Sequence, residues 1–140
     1  MNDIYEEIVD RIRGQAPDLE RLVQRVMMAW SHGMSSRDDQ EISLDSVALN
    51  LHGFYSGLER LFALISRHVD QSVPAGETWH RELLEQMCQE IPDVRPAVIS
   101  SKSMSSLDEL RRFRHLVRNV YTFNLLPGKM ESLVMDLPGL

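Results

Sequence analysis

Apolar positions recur at three- and four-residue spacing along nearly the whole chain, and no stretch sustains the alternation of a half-buried strand. Over residues 4–34 the face is Ile4, Ile8, Ile12, Leu19, Leu22, Val23, Val26, Met27 and Trp30. Gly14 and Pro17 interrupt it. Proline lacks the amide donor and crowds the preceding turn, so a break or kink is expected there. Residues 35–40 (SSRDDQ) make a polar connection with N-cap candidates. Residues 41–69 carry the strongest pattern: Leu44, Val47, Leu51, Phe54, Leu58, Leu61, Ile65 and Val69, widened by Ala48, Tyr55 and Phe62. A helix of that length would run roughly 40 Å. Gly53 and Gly57, four residues apart, let another helix or a substrate approach its backbone, close helix packing being the plainer reading.

Residues 70–77 read as a loop, with Thr78 as N-cap of a short helix from Trp79 to about Glu90. Its apolar side is Trp79, Leu83, Leu84 and Met87. Residues 91–106, with Pro92, Pro96 and a serine-rich end, read as a connection. Ser105 or Ser106 then caps a helix over residues 107–124, where Asp108 and Glu109 in the first turn suit the helix dipole. Leu126-Pro127-Gly128 ends it, residues 129–137 form a short last helix, and residues 138–140 fray. The expected fold is all-α, an up-and-down four- or five-helix bundle.

Composition narrows the class. A chain of 140 residues, 43% apolar and 26% charged, is expected to be one domain. Cys88 is the only cysteine, so an intrachain disulfide is excluded. No run of apolar residues is long enough to span a bilayer, and the acidic start MNDIYEEIVD lacks the order of a secretory signal. A cytoplasmic location with no membrane partner is expected. The formal net charge of −6 argues against general coating of nucleic acid. Charge is uneven, however. Lys102, Arg111, Arg112, Arg114 and Arg118 face only Asp108 and Glu109 over residues 101–121. A basic patch on an acidic body fits an anionic ligand met at one place; it also fits a helix with a basic second half.

No glycine-rich phosphate loop, H-E-x-x-H, G-x-S-x-G or calcium loop occurs. The histidines His32, His52, His68, His80 and His115 are not spaced as a metal cluster, so neither a metal site nor a cofactor is expected. The late helix holds the best candidate chemistry. Leu110, Phe113, Val117 and Val120 form its apolar stripe. At about 100° per residue, Arg114, Arg118 and Tyr121 project within about 60° of one another, with His115 and Asn119 in an adjoining row. A guanidinium fork matches two phosphate oxygens, and an imidazole moves a proton near neutral pH. Such a set can cleave RNA without metal: a base activates the 2′-hydroxyl while arginine stabilises the charge on phosphorus. From spacing alone, a solvated arginine-rich face with a structural histidine carries more weight. Trp79-His80 could touch RNA, since an aromatic ring can stack on a base, but the reading with more weight is Trp79 as a core anchor with His80 exposed. Tyr55, Glu59 and Arg60 read as a group whose ion pairing across the bundle is structural.

The string RHLVRNVYTF resembles the signature of the HepT-like members of the HEPN superfamily, helical ribonuclease toxins. That signature is an arginine, a polar residue, three variable residues, a histidine, one more residue and a tyrosine. Here Arg114 matches the arginine, His115 the polar residue and Tyr121 the tyrosine, while Asn119 stands where the histidine is expected. LHGFYSGLERLFALISRHVD, ETWHRELLEQM and RPAVIS also resemble one HepT-like subgroup, in the same order, so the resemblance spans about residues 44–126. It implies a single helical domain over residues 1–140, with residues 1–40 outside the matching segments and 128–140 a short C-terminal helix and tail. It further implies a homodimer with a shared basic cleft, RNA as substrate, and a nucleotidyltransferase antitoxin that transfers AMP onto Tyr121. By that resemblance Arg114, His115 and Asn119 are the catalytic candidates, with Arg111 and Arg118 holding phosphate. Asparagine cannot serve as a general base. Either His115 takes that role, or the arginines only position RNA, or the chain is a non-catalytic module that binds RNA or nucleotide or scaffolds its nucleotidyltransferase partner. A ligand-free dimerisation protein is the third class.

Overall fold

The computed structural model describes residues 2–119 and 127–139, with side chains over 5–114 and 130–139. Among the described residues five α-helices run in chain order: α1 (Asn2–Ser35), α2 (Gln40–Leu64), α3 (Trp79–Met87), α4 (Ser101–Asn119) and α5 (Pro127–Asp136). The architecture is the all-α bundle expected, and among the described residues the only β-type pairing is an isolated bridge between Ile91 and Arg95. Helix α2 is central, packing against α1, α3 and α4. Its stripe of Leu44, Val47, Ala48, Leu51, Phe54, Tyr55 and Phe62 is buried, as its spacing demands. Leu83, Leu84 and Met87 of α3, Leu107, Leu110 and Phe113 of α4, and Met130, Leu133 and Val134 of α5 complete one core.

The expected break at Pro17 does not occur. Helix α1 runs through it for 34 residues. Pro17 and Arg13 are both exposed, so water can satisfy the carbonyl that loses its amide partner. Pro17→Ala should therefore stabilise the protein by roughly 1–2 kcal/mol, less than the helix-propensity difference because proline also restricts the unfolded chain. A denaturant midpoint unchanged or lowered would contradict this. The glycine spacing on α2 is used as expected: a Cβ on Gly57 would stand 2.7 Å from Leu19 Cδ2 of α1, and one on Gly53 would stand 3.6 Å from Leu22 Cδ1. At the turn between α1 and α2, Asp39 occupies the N-cap position but makes no side-chain cap; its carboxylate meets His32 Nε2 at 3.1 Å instead.

Helix α2 continues into a π-helical turn, Ile65–Asp70, closed by Gln71 in the left-handed conformation (φ 56°). A buried polar hub ties this turn to the segments on either side of α3. Asp70 accepts from Arg95 Nε at 2.6 Å and Arg95 Nη2 at 2.7 Å, and from Gln86 Nε2 at 2.6 Å. Arg95 also donates to the carbonyls of Gln89, Pro96 and Gln86, so the loop 88–100 is fixed at its middle. Burial opposes the Asp70 charge, yet the bonds from Arg95 and Gln86 and the guanidinium charge outweigh it and hold the carboxyl below its ordinary range.

Two helix boundaries differ from expectation. Thr78 is the N-cap residue of α3, but its hydroxyl bonds the Glu82 carboxylate at 3.2 Å rather than a backbone amide, and α3 ends at Met87. Helix α4 starts six residues early, at Ser101, because Ser100 caps it: Ser103 N donates to Ser100 Oγ at 3.0 Å. Ser105 and Ser106 are thus inside the helix, and Asp108 and Glu109 sit beyond its first turn. Ser100→Ala should cost about 1 kcal/mol of stability, read as a lower melting temperature. Pro127 opens α5, where its missing amide is harmless, and Leu137 is buried in a final 3-10 turn, Leu137–Gly139.

Candidate functional site

Helix α4 turns its Leu107, Leu110 and Phe113 inward against α2 and α3, and this sets where its arginines go. Arg112 is exposed, with Nη2 3.1 Å from Asp108 Oδ2. Arg111 is half-buried, and its Nε donates to Asp108 Oδ1 at 2.8 Å. One carboxylate thus serves two of the arginines, so the basic face is less positive than its sequence suggests. Asp108, expected to complement a helix dipole, acts instead as their counter-ion.

Arg114 is different. Its guanidinium carbon lies 5.9 Å from the centroid of the Tyr55 ring on α2, within reach of a cation–π contact. Its Nε is buried and has no hydrogen-bond partner among the described residues. A buried donor left unpaired costs about 1–3 kcal/mol, so native proteins rarely keep one without use for it. Tyr55 beneath it is only 1% exposed. Its hydroxyl also lacks a partner in hydrogen-bond geometry among the described residues, although the Glu59 carboxylate stands nearby. Burial first, then the Glu59 charge, pushes the phenol far above its ordinary range, against the opposing pull of Arg111 and Arg114. Tyr55 is therefore a neutral ring, fit to carry a cation on its face and unfit to act as a base.

One turn along α2, Glu59 Oε2 accepts from His80 Nδ1 of α3 at 2.7 Å. The Glu59 side chain is 11% exposed and that of His80 31%. The Trp79 and His80 rings lie against each other with centroids 3.6 Å apart at 31°. Trp79 packs against the core as expected, but His80 is half-buried and hydrogen-bonded to Glu59 rather than simply exposed. Glu59 pairs with this histidine, and Arg60 is exposed. Spacing could not reveal the Glu59–His80 pair, because its members lie on different helices.

Of the residues singled out in the sequence, Arg111 and Arg114 lie on the face of α4 towards Tyr55. His115, Arg118 and Asn119 lie on the last turns of α4, with their side chains outside the described residues. Tyr121 lies wholly outside them. Among the described residues no group of three or more His, Cys, Asp or Glu side chains is placed to hold a metal ion, and no helix is long and apolar enough to cross a membrane.

A family model described as HepT-like protein matches residues 46–140, from the second turn of α2 to the C-terminal end of the chain. The chain belongs to the HepT-like family. No curated protein and no solved structure matches it. Membership suggests a HEPN-type module in a toxin–antitoxin context. In this HepT-like chain the matched span holds α3, α4, α5 and nearly all of α2, including Tyr55, Glu59, His80 and Arg114. Helix α1 precedes it and packs on α2 through Leu19 and Leu22.

Proposed function

We propose that this HepT-like chain is an endoribonuclease toxin that cleaves RNA without a metal ion and is held in check by a nucleotidyltransferase antitoxin. The observation that carries the reading is Arg114. It stands at the signature position of a HepT-like chain, on the Tyr55 ring, with a buried Nε that no described residue satisfies. A guanidinium held this way suits a bridging phosphate, whose charge rises as phosphorus becomes five-coordinate. Arg111 and Arg118 would add phosphate contacts, and the active form would be a homodimer. Asn119 cannot take the proton of the 2′-hydroxyl, which moves that duty to a histidine elsewhere. The sequence offers His115, which follows Arg114 directly. AMP added to Tyr121 would set an anion close to Arg114 and Arg118 in sequence and shut out substrate phosphate.

A second reading has its own observation. Asn119 at the signature histidine favours a non-catalytic module that binds RNA or nucleotide, or scaffolds the nucleotidyltransferase. The purified protein incubated with tRNA and mRNA decides between the two. Cleavage to 2′,3′-cyclic phosphate ends, undiminished by EDTA, is the expected result. Binding without cleavage supports the module, and cleavage that EDTA stops overturns the metal-free mechanism. The regulatory part is tested separately. Expression of this chain alone should arrest growth, and co-expression with the nucleotidyltransferase should relieve it. The relieved protein should gain the mass of one AMP group, and Tyr121→Phe should not.

A further inference from the structure

The Glu59–His80 pair lies outside the signature string and looks at first like a structural ion pair. Three features make it more. Its hydrogen bond is short, at 2.7 Å, and fixes one particular nitrogen, Nδ1. Its carboxylate is nearly buried while its imidazole remains about one-third exposed, so the pair has an inner orienting end and an outer accessible end. Glu59 is one helical turn from Tyr55, the residue that carries Arg114, and its charge is felt by the Tyr55 hydroxyl together with those of Arg111 and Arg114. The pair and the Arg114 guanidinium therefore share one face of α2.

We infer that His80, oriented by Glu59, is the proton acceptor that this HepT-like chain uses in place of the missing signature histidine. The inference rests on the ribonuclease reading given above. With Nδ1–H donating to the Glu59 carboxylate, the neutral imidazole presents a lone pair at Nε2. A carboxylate behind a histidine holds the ring in that tautomer and stabilises the imidazolium formed when a proton arrives. Nε2 takes the proton of the ribose 2′-hydroxyl as O2′ attacks the adjacent phosphorus. The O2′–P bond forms and the P–O5′ bond breaks, with Arg114 holding the charged phosphoryl oxygens. The departing 5′ oxygen takes up a proton from water, leaving a 2′,3′-cyclic phosphate and a 5′-hydroxyl, and the imidazolium later returns its proton to solvent. The Trp79 ring lies against the His80 imidazole and restricts its turning. Glu59 touches no substrate and is a positioning residue.

The test measures steady-state RNA cleavage by the full chain and its variants. His80→Ala should lower kcat by about 10²–10⁴-fold, the usual contribution of a general base, with KM little changed. Imidazole added to the solution should restore part of that loss, which a merely structural defect would not allow. His80→Gln keeps an N–H donor for Glu59 without a proton acceptor; it should fold as the wild type does and be as slow as His80→Ala. Glu59→Gln should lower kcat less than His80→Ala, again at unchanged KM. Wild-type turnover in His80→Gln, or a loss in His80→Ala that imidazole does not rescue, overturns the inference. Should cleavage depend on Arg114 and His115 but not on His80, the ribonuclease reading stands and this inference alone falls. A wild-type protein that cleaves no RNA removes both.

Discussion

Arg114→Ala should lower RNA cleavage by about 10²–10³-fold, the usual effect of removing one preorganised donor from a developing oxyanion. The expectation follows from the state of the side chain. Arg111 and Arg112 share the Asp108 carboxylate, so part of their charge is already answered within α4. Arg114 has no carboxylate partner among the described ion pairs, and its Nε is buried with no partner among the described residues. Its removal should therefore leave folding nearly intact, because it breaks no ion pair among the described residues and the cation–π attraction to Tyr55 is worth only about 0.5–2 kcal/mol. Arg114→Lys should fall between wild type and alanine: the charge survives, but the fork that grips two phosphate oxygens does not. The informative result is a large loss of turnover with an almost unchanged melting temperature. Turnover that survives the alanine substitution would leave the proposed mechanism without its central group.

Asp70→Ala should destabilise the protein by about 3–5 kcal/mol, the range for leaving one member of a buried ion pair alone. The Asp70 side chain is 0% exposed and its Arg95 partner 7%. Arg95 would keep its bonds to the three carbonyls but be left without either carboxylate oxygen, and Gln86 Nε2 would be left with the Ser72 carbonyl as its acceptor. The substitution should also loosen the loop 88–100, visible as faster amide exchange at Val98 and Ile99, whose amides bond the Met87 carbonyl. The double variant Asp70→Leu with Arg95→Met should recover much of the stability, because apolar groups of similar volume need no counter-charge. The pH dependence has a definite sign. Since the folded Asp70 carboxyl lies below its unfolded value, its stabilisation is complete above the ordinary carboxylate range, about 3.9, and is lost as pH falls through the lower folded value. Asp70→Ala should lack that step. An unchanged acid-unfolding profile would show that the hub contributes little.

Legibility followed the range of the forces involved. The stripe of α2 could be read directly, since a period near 3.6 over more than twenty positions admits one buried face. Gly53 and Gly57 correctly marked the approach of α1, because a missing Cβ is a local property with a local consequence. Boundaries were harder. Serines at 100, 101, 103, 105 and 106 all satisfy the cap preference, and only the geometry of the incoming loop, pinned by Arg95, selects Ser100. Whether Pro17 would break the helix was hard to read for a related reason: its effect depends on whether water reaches the freed carbonyl, and exposure is set by the fold.

Within the candidate site the signature string was visible because Arg114, Asn119 and Tyr121 are neighbours in sequence. Its surroundings were not. Tyr55 and Arg114 are 59 positions apart and meet only because α2 and α4 pack side by side. Glu59 and His80 are joined by the return of the chain through α3.

The order of residues was enough to specify the all-helical class, the buried face of α2, the family and the arginine at its signature position, since each rests on periodicity or on residues near one another along the chain. Which charges answer one another was decided by the packing of the helices. It gave Asp70 to Arg95 and Glu59 to His80 and left the Nε of Arg114 without a partner among the described residues, whereas Asp108 meets Arg111 and Arg112 through their spacing within α4. Ionic and hydrogen bonds reach only a few ångströms, so partners far apart in sequence are chosen by which helices lie together, and no spacing within one helix encodes that choice.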